Sequence, residues 1–65
     1  MDKFYMVYVD GRTGSTFKHP TPEDAEVEAE RLAGLLGNRD RNVIILEAMS
    51  YCHLTPSPVE WHKII

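Results

Sequence analysis

The sequence predicts an α+β fold: a two-layer domain with a small, mainly antiparallel sheet, one helix, and the element order β-β-α-β followed by an extended C-terminal tail. Three observations carry this reading. Two runs, Phe4–Val9 and Val43–Leu46, are rich in β-branched and aromatic residues and too short for helices. Between them lies a stretch with apolar residues at helical spacing behind a strong N-terminal cap. The length of 65 residues leaves room for a single core, so residues 1–65 are read as one domain, with 1–54 as core and 55–65 as a Pro-containing tail.

The first run ends at Asp10-Gly11-Arg12-Thr13-Gly14, where an Asp and two glycines mark a reversal. Ser15-Thr16-Phe17-Lys18-His19 then returns as a short, mostly polar edge strand, completing a hairpin. Thr21 is placed to cap the helix, Pro22 suits its first position, and Asp24 is the carboxylate of a variant capping box. Glu23 and Asp24 also meet the positive end of the helix dipole. Ala25, Ala29, Leu32, Ala33 and Leu36 fall on one helical face, and Gly37-Asn38 reads as the stop. Val43-Ile44-Ile45-Leu46 opens a third, long strand reaching Leu54, which Thr55-Pro56-Ser57-Pro58 breaks. The tail beyond, Val59–Ile65, is expected to be extended and docked, with a short strand, a last helical turn and a swapped arm left open.

One helix covers one face of a sheet, yet both faces of these strands are apolar. The aliphatic set Val7, Val9, Ile44, Leu46 and Ala48 is assigned to the alanine-rich helix. The remaining set, Phe4, Met6, Tyr8, Ile45, Met49 and Tyr51, is aromatic and methionine-rich, as interfaces are. Together with Trp61 it is the expected oligomer or partner interface, because a monomer does not normally expose such a patch. A domain of this size buries only about 60% of its unfolded surface and usually needs a staple. A single cysteine excludes an internal disulfide, so self-association, with a dimer expected, is the leading reading, beside cover of the face by the folded-back tail or by a permanent partner.

Composition excludes several classes. At 43% hydrophobic and 26% charged the chain is globular rather than disordered. A net charge of −3 argues against nucleic acid as a partner, since phosphate binding needs a basic stripe. No apolar run is long enough to span a membrane, and Met1-Asp2-Lys3 opens no signal peptide, so a cytoplasmic protein is expected.

No catalytic constellation stands out, and the chain is read as non-enzymatic. Cys52 and His53 are adjacent in a strand and point to opposite faces, so they form no nucleophile–base dyad, and Cys52 reads as a buried free cysteine. His19, His53 and His62 match no ligand spacing, so no metal and no cofactor are called for. Gly11-Arg12-Thr13-Gly14 lacks phosphate-loop spacing and reads as a turn. Glu23, Glu26 and Glu30 form a solvated helix face or, in the sharper reading, an acidic docking face for a basic partner, while Glu28 and Arg31 pair at i, i+3. Trp61 either anchors the tail on the sheet or inserts into a neighbouring subunit.

The strand ending Val9-Asp10-Gly11, the entry Lys18-His19-Pro20-Thr21-Pro22-Glu23-Asp24-Ala25, the helical Glu28-Ala29-Glu30-Arg31-Leu32-Ala33 and the strand Ile45-Leu46-Glu47-Ala48 resemble small uncharacterised accessory proteins of bacteriophages and prophages, over roughly residues 4–49. That resemblance implies a bacterial host cytoplasm and a small binder that inhibits a host or anti-phage defence component. It assigns no role to any residue. The alternative is an oligomer that sequesters a small molecule or nucleotide between subunits, lined by Tyr5 or Tyr8, Arg12, His53 and Trp61.

Overall fold

The computed structural model describes residues 1–12, 17–54 and 59–65. The expected turn residues Thr13-Gly14, the start of the second strand at Ser15-Thr16 and the break Thr55–Pro58 lie outside that set. The architecture is α+β; the described residues form four strands in two antiparallel pairs and one α-helix.

β1 (Tyr5–Val9) pairs antiparallel with β2 (Val43–Glu47), Tyr5 opposite Glu47 and Val9 opposite Val43. The ladder runs past both ends: the Asp10 N–H donates to the Asn42 carbonyl at 2.9 Å and the Ala48 N–H to the Phe4 carbonyl at 3.0 Å. On the other edge of β1, Tyr5 and His19 exchange backbone hydrogen bonds of 2.8 and 2.7 Å. Among the described residues this bridge is what the expected strand 15–19 contributes. The reversal after β1 is a tight turn in which the Arg12 N–H reaches the Val9 carbonyl at 3.0 Å. Gly11 occupies its third position at φ 83°, where a side chain would be strained.

The helix α1 (Pro22–Ala33) starts as its cap chemistry requires: the Asp24 N–H donates to Thr21 Oγ1 at 3.2 Å, and Pro22 needs no partner for a missing N–H. It packs on both β1 and β2 and seats Ala25 against them with no exposed surface. Arg31 clasps Glu28 through Nε–Oε1 and Nη2–Oε2 contacts of 2.7 and 2.9 Å, as the spacing predicts. This bond holds the Glu28 carboxyl below the usual carboxylate range. A depressed carboxylate pKa contributes stability above the ordinary range and loses it as pH falls through the folded value. Helix content is therefore expected to fall slightly below about pH 4, and the change should shrink in a Glu28→Gln variant followed by circular dichroism.

The helix ends earlier than its apolar spacing predicts. It stops at Ala33, and a 3₁₀ turn, Leu36–Asn38, follows. Gly34 is poorly suited to a helix interior, costing about 1 kcal/mol relative to Ala. Asn38 then folds back and donates its Nδ2 to the Leu32 carbonyl at 2.9 Å, adding a second donor to the Leu35 N–H that reaches the same helix-end acceptor at 3.2 Å. Leu36, expected on the buried face, is consequently 85% exposed. Asn38→Ala removes this part-buried bond, while the Leu35 N–H still reaches the Leu32 carbonyl at 3.2 Å. The expected cost is about 0.5–1.5 kcal/mol, with a Tm drop of about 4–8 °C per kcal/mol in a domain this small.

The long third strand of the sequence reading is two strands. The chain bends at Ala48-Met49 and resumes as β3 (Ser50–Leu54), which pairs antiparallel with β4 (Val59–Lys63), Ser50 opposite Lys63 and Leu54 opposite Val59. The expected tail is thus the second strand of a hairpin, closed at its base by the Ile64 N–H donating to the Met49 carbonyl at 2.7 Å. β3 and β4 pair with each other and barely touch the helix or the first sheet. The molecule is elongated, 47 × 23 × 14 Å, with a radius of gyration of 14.6 Å. A compact chain of this length would measure about 11 Å. The hairpin is an arm.

The core is correspondingly small. Val7, Val9, Ala25 and Ile64 are its buried apolar residues, joined by His19 and Asn38.

Candidate interaction surface

Residues directly opposite in an antiparallel pair share a face. The β1–β2 register therefore places Val7 and Val9 with Ile45 and Val43, and Met6 and Tyr8 with Leu46 and Ile44. Val7 and Val9 are buried, which makes theirs the helix side. This corrects the assignment of Ile45 to the uncovered face and of Ile44, Leu46 and Ala48 to the helix. Aliphatic character alone does not separate the faces, whereas the ladder pairs odd positions of β1 with odd positions of β2. The face away from the helix consists of Phe4, Met6, Tyr8, Ile44 and Leu46, with Ala48 at its end.

Within the paired strands no acidic or basic residue belongs to that face; Asp10 continues it beyond Tyr8, and Lys18 stands at the Phe4 end. Phe4 is roofed by the Lys18 ammonium, 4.6 Å from its ring centre. That cation–π contact closes one end and leaves Met6, Tyr8, Ile44 and Leu46 as an apolar floor. The carboxylates stand on the other layer. Glu23, Glu26 and Glu30 are exposed on α1, the side of the domain opposite the apolar floor.

The arm has two unlike faces. Tyr51, His53, Glu60 and His62 share one; Cys52, Leu54, Val59 and Trp61 share the other, with Ser50 and Lys63 at its base. On the first, the rings of Tyr51, His53 and His62 pack together, with His62 5.0 and 5.5 Å from Tyr51 and His53 and its Nε2 3.3 Å from Glu60 Oε1. The two imidazoles are within 5° of parallel, so their nitrogens do not converge on one point. Among the described residues no group of three or more His, Cys, Asp or Glu side chains is placed to hold a metal ion.

On the second face Trp61 sits opposite Cys52 and Leu54 opposite Val59. Trp61 is 69% and Leu54 80% exposed. Cys52 is exposed as well, correcting its reading as a buried thiol: the strand that carries it left the core at the Ala48-Met49 bend. Cys52 and His53 point to opposite faces of the arm.

The predicted interface set is thus divided among separate surfaces. Phe4, Met6 and Tyr8 share the uncovered sheet face, Ile45 turns to the helix, exposed Met49 marks the bend, Tyr51 belongs to the histidine face of the arm, and Trp61 to its apolar face. Ile44, Leu46 and Leu54 were missed. The lining imagined for a ligand site is also split, since His53 and Trp61 lie on opposite faces of one hairpin. Arg12 sits beyond the far end of β1, where it donates to the Gly37 carbonyl, and Arg41 donates to that of Asp10 at 3.1 Å. These arginines tie loops together.

No protein-family model matches the chain, and neither a curated protein nor a solved structure is significantly similar to it. No helix among the described residues is long and apolar enough to cross a membrane.

Proposed function

We propose that this chain is a non-enzymatic interaction protein that assembles with itself and acts by binding another protein. The observation behind this reading is the uncharged floor of Met6, Tyr8, Ile44 and Leu46 on the layer opposite the helix. Apolar, methionine- and aromatic-rich surfaces of this kind are the usual material of protein interfaces. Two copies meeting through it place their acidic helices on the outside of the assembly, so the net charge of −3 per chain opposes association little. The exposed carboxylates Glu23, Glu26 and Glu30 then form the surface offered to a basic partner. In keeping with the resemblance to phage accessory proteins, that partner is a component of a bacterial host cytoplasm, whose activity or defence function is inhibited by occupancy rather than chemistry.

The test is solution mass by light scattering across a wide dilution range. A stable multiple of 7.4 kDa is expected at micromolar concentration. A chain that stays at 7.4 kDa throughout refutes the self-assembly part of the reading.

A further inference from the structure

The accessible surface of the chain is 5176 Å². A compact monomer of 7.4 kDa exposes about 4,200 Å². The surplus, about 1,000 Å², is close to the roughly 800 Å² that each partner contributes to a stable interface of standard size. Its main source is the projecting arm, whose two strands contact little besides each other. Two-stranded hairpins are at best marginally stable in water without a surface to pack on.

Among the described residues the floor is left partly open: Met6 and Tyr8 are half-buried, and Ile44 and Leu46 are exposed. β3 continues away from β2 beyond the Ala48-Met49 bend, and the arm extends the molecule to 47 Å. A second copy can cover it. The floor is built on five-residue strands and the arm is built of five-residue strands. Both therefore run about 17 Å. The apolar arm face, with Cys52, Leu54, Val59 and Trp61, carries no acid and one base, Lys63 at its foot, and the four floor residues carry no charge. A reciprocal exchange satisfies both copies at once and closes on itself, as two-fold interfaces do.

We infer that the arm of one copy lies on the floor of a second, burying Leu54 and Trp61 against Met6, Tyr8, Ile44 and Leu46, and that the second does the same in return. This rests on the self-assembly reading and specifies the surface that performs it. Trp61 is the only tryptophan, so it reports on its own surroundings.

The experiment follows light scattering and Trp61 emission with iodide quenching on the same dilution series of the full chain. The expected result is a mass of twice 7.4 kDa with blue-shifted, quench-protected emission, both reverting together on dilution. Leu54→Ser, an exposed position at the arm tip, should move that dilution midpoint to at least about tenfold higher concentration with helix content unchanged. A doubled mass with Trp61 fully quenchable overturns the arm assignment and leaves self-assembly standing. A doubled mass whose midpoint ignores Leu54→Ser also overturns it. A monomer with Trp61 exposed overturns both, and a monomer with Trp61 protected shows the arm folded onto its own chain, which also overturns both.

Discussion

Ala25→Glu abolishes the fold. Among the described residues Ala25 is the one with no exposed surface, held where α1 meets the sheet whose helix side carries Val7 and Val9. A larger side chain there must push helix and sheet apart, and a carboxylate would sit unpaired among apolar groups. The penalty is several kcal/mol. A domain of this length has about 3–10 kcal/mol of total stability. The expected outcome is loss of the cooperative thermal transition and of most helix signal by circular dichroism. Ala29→Glu is expected to be milder, because Ala29 is only half-buried. A variant at Ala25 that melts like the parent would mean that the helix is not seated on this face.

Met6→Glu is expected to dissociate the assembly while sparing the fold. Met6 lies on the uncovered face, opposite Leu46, and in a single chain a carboxylate there can still reach water. In the assembly it would be trapped against apolar side chains. A charge buried unpaired at an interface costs about 2–5 kcal/mol. That corresponds to an affinity loss of about 30-fold to several thousand-fold. Light scattering should return 7.4 kDa at concentrations where the parent is larger, with unchanged helix signal. An unchanged mass would remove this face from the interface.

These two positions illustrate different depths of legibility. The helix could be read from its own residues. Thr21, Pro22 and Asp24 form a cap within a few residues of chain, and Ala25, Ala29 and Leu32 repeat at the period of one turn. Such signals are local, because the groups that satisfy one another are neighbours in sequence. The strand character of 5–9 and 43–47 was legible for the same reason, as were the turn at Gly11 and the Glu28–Arg31 pair. The helix end was not, since Asn38 reaches back to Leu32 through a turn that the apolar spacing does not foretell.

The assignment of faces depended on contacts between distant segments. Whether Val7 stands opposite Ile44 or Ile45 is one residue of register, and that one residue exchanges every side chain of β2 between helix and open face. Composition was a poor guide, because every residue from Val43 to Leu46 is aliphatic. The bend at Ala48-Met49 was equally silent: the same β-branched and aromatic content serves one long strand or two short ones. Only the pairing of Ser50–Leu54 with Val59–Lys63 distinguishes a docked tail from a projecting arm.

The residues alone thus determine what can be decided within a few positions of chain: the α+β class, the capped acidic helix, the strand-forming runs, and the excess of apolar surface over what one helix can hide. Which side chains form the open floor, and that Trp61 and Leu54 are carried out on an arm, are decided by register and by a bend. Both are properties of pairing between segments, where strands of near-equal hydrophobicity leave the local sequence almost indifferent and the long-range ladder makes the choice.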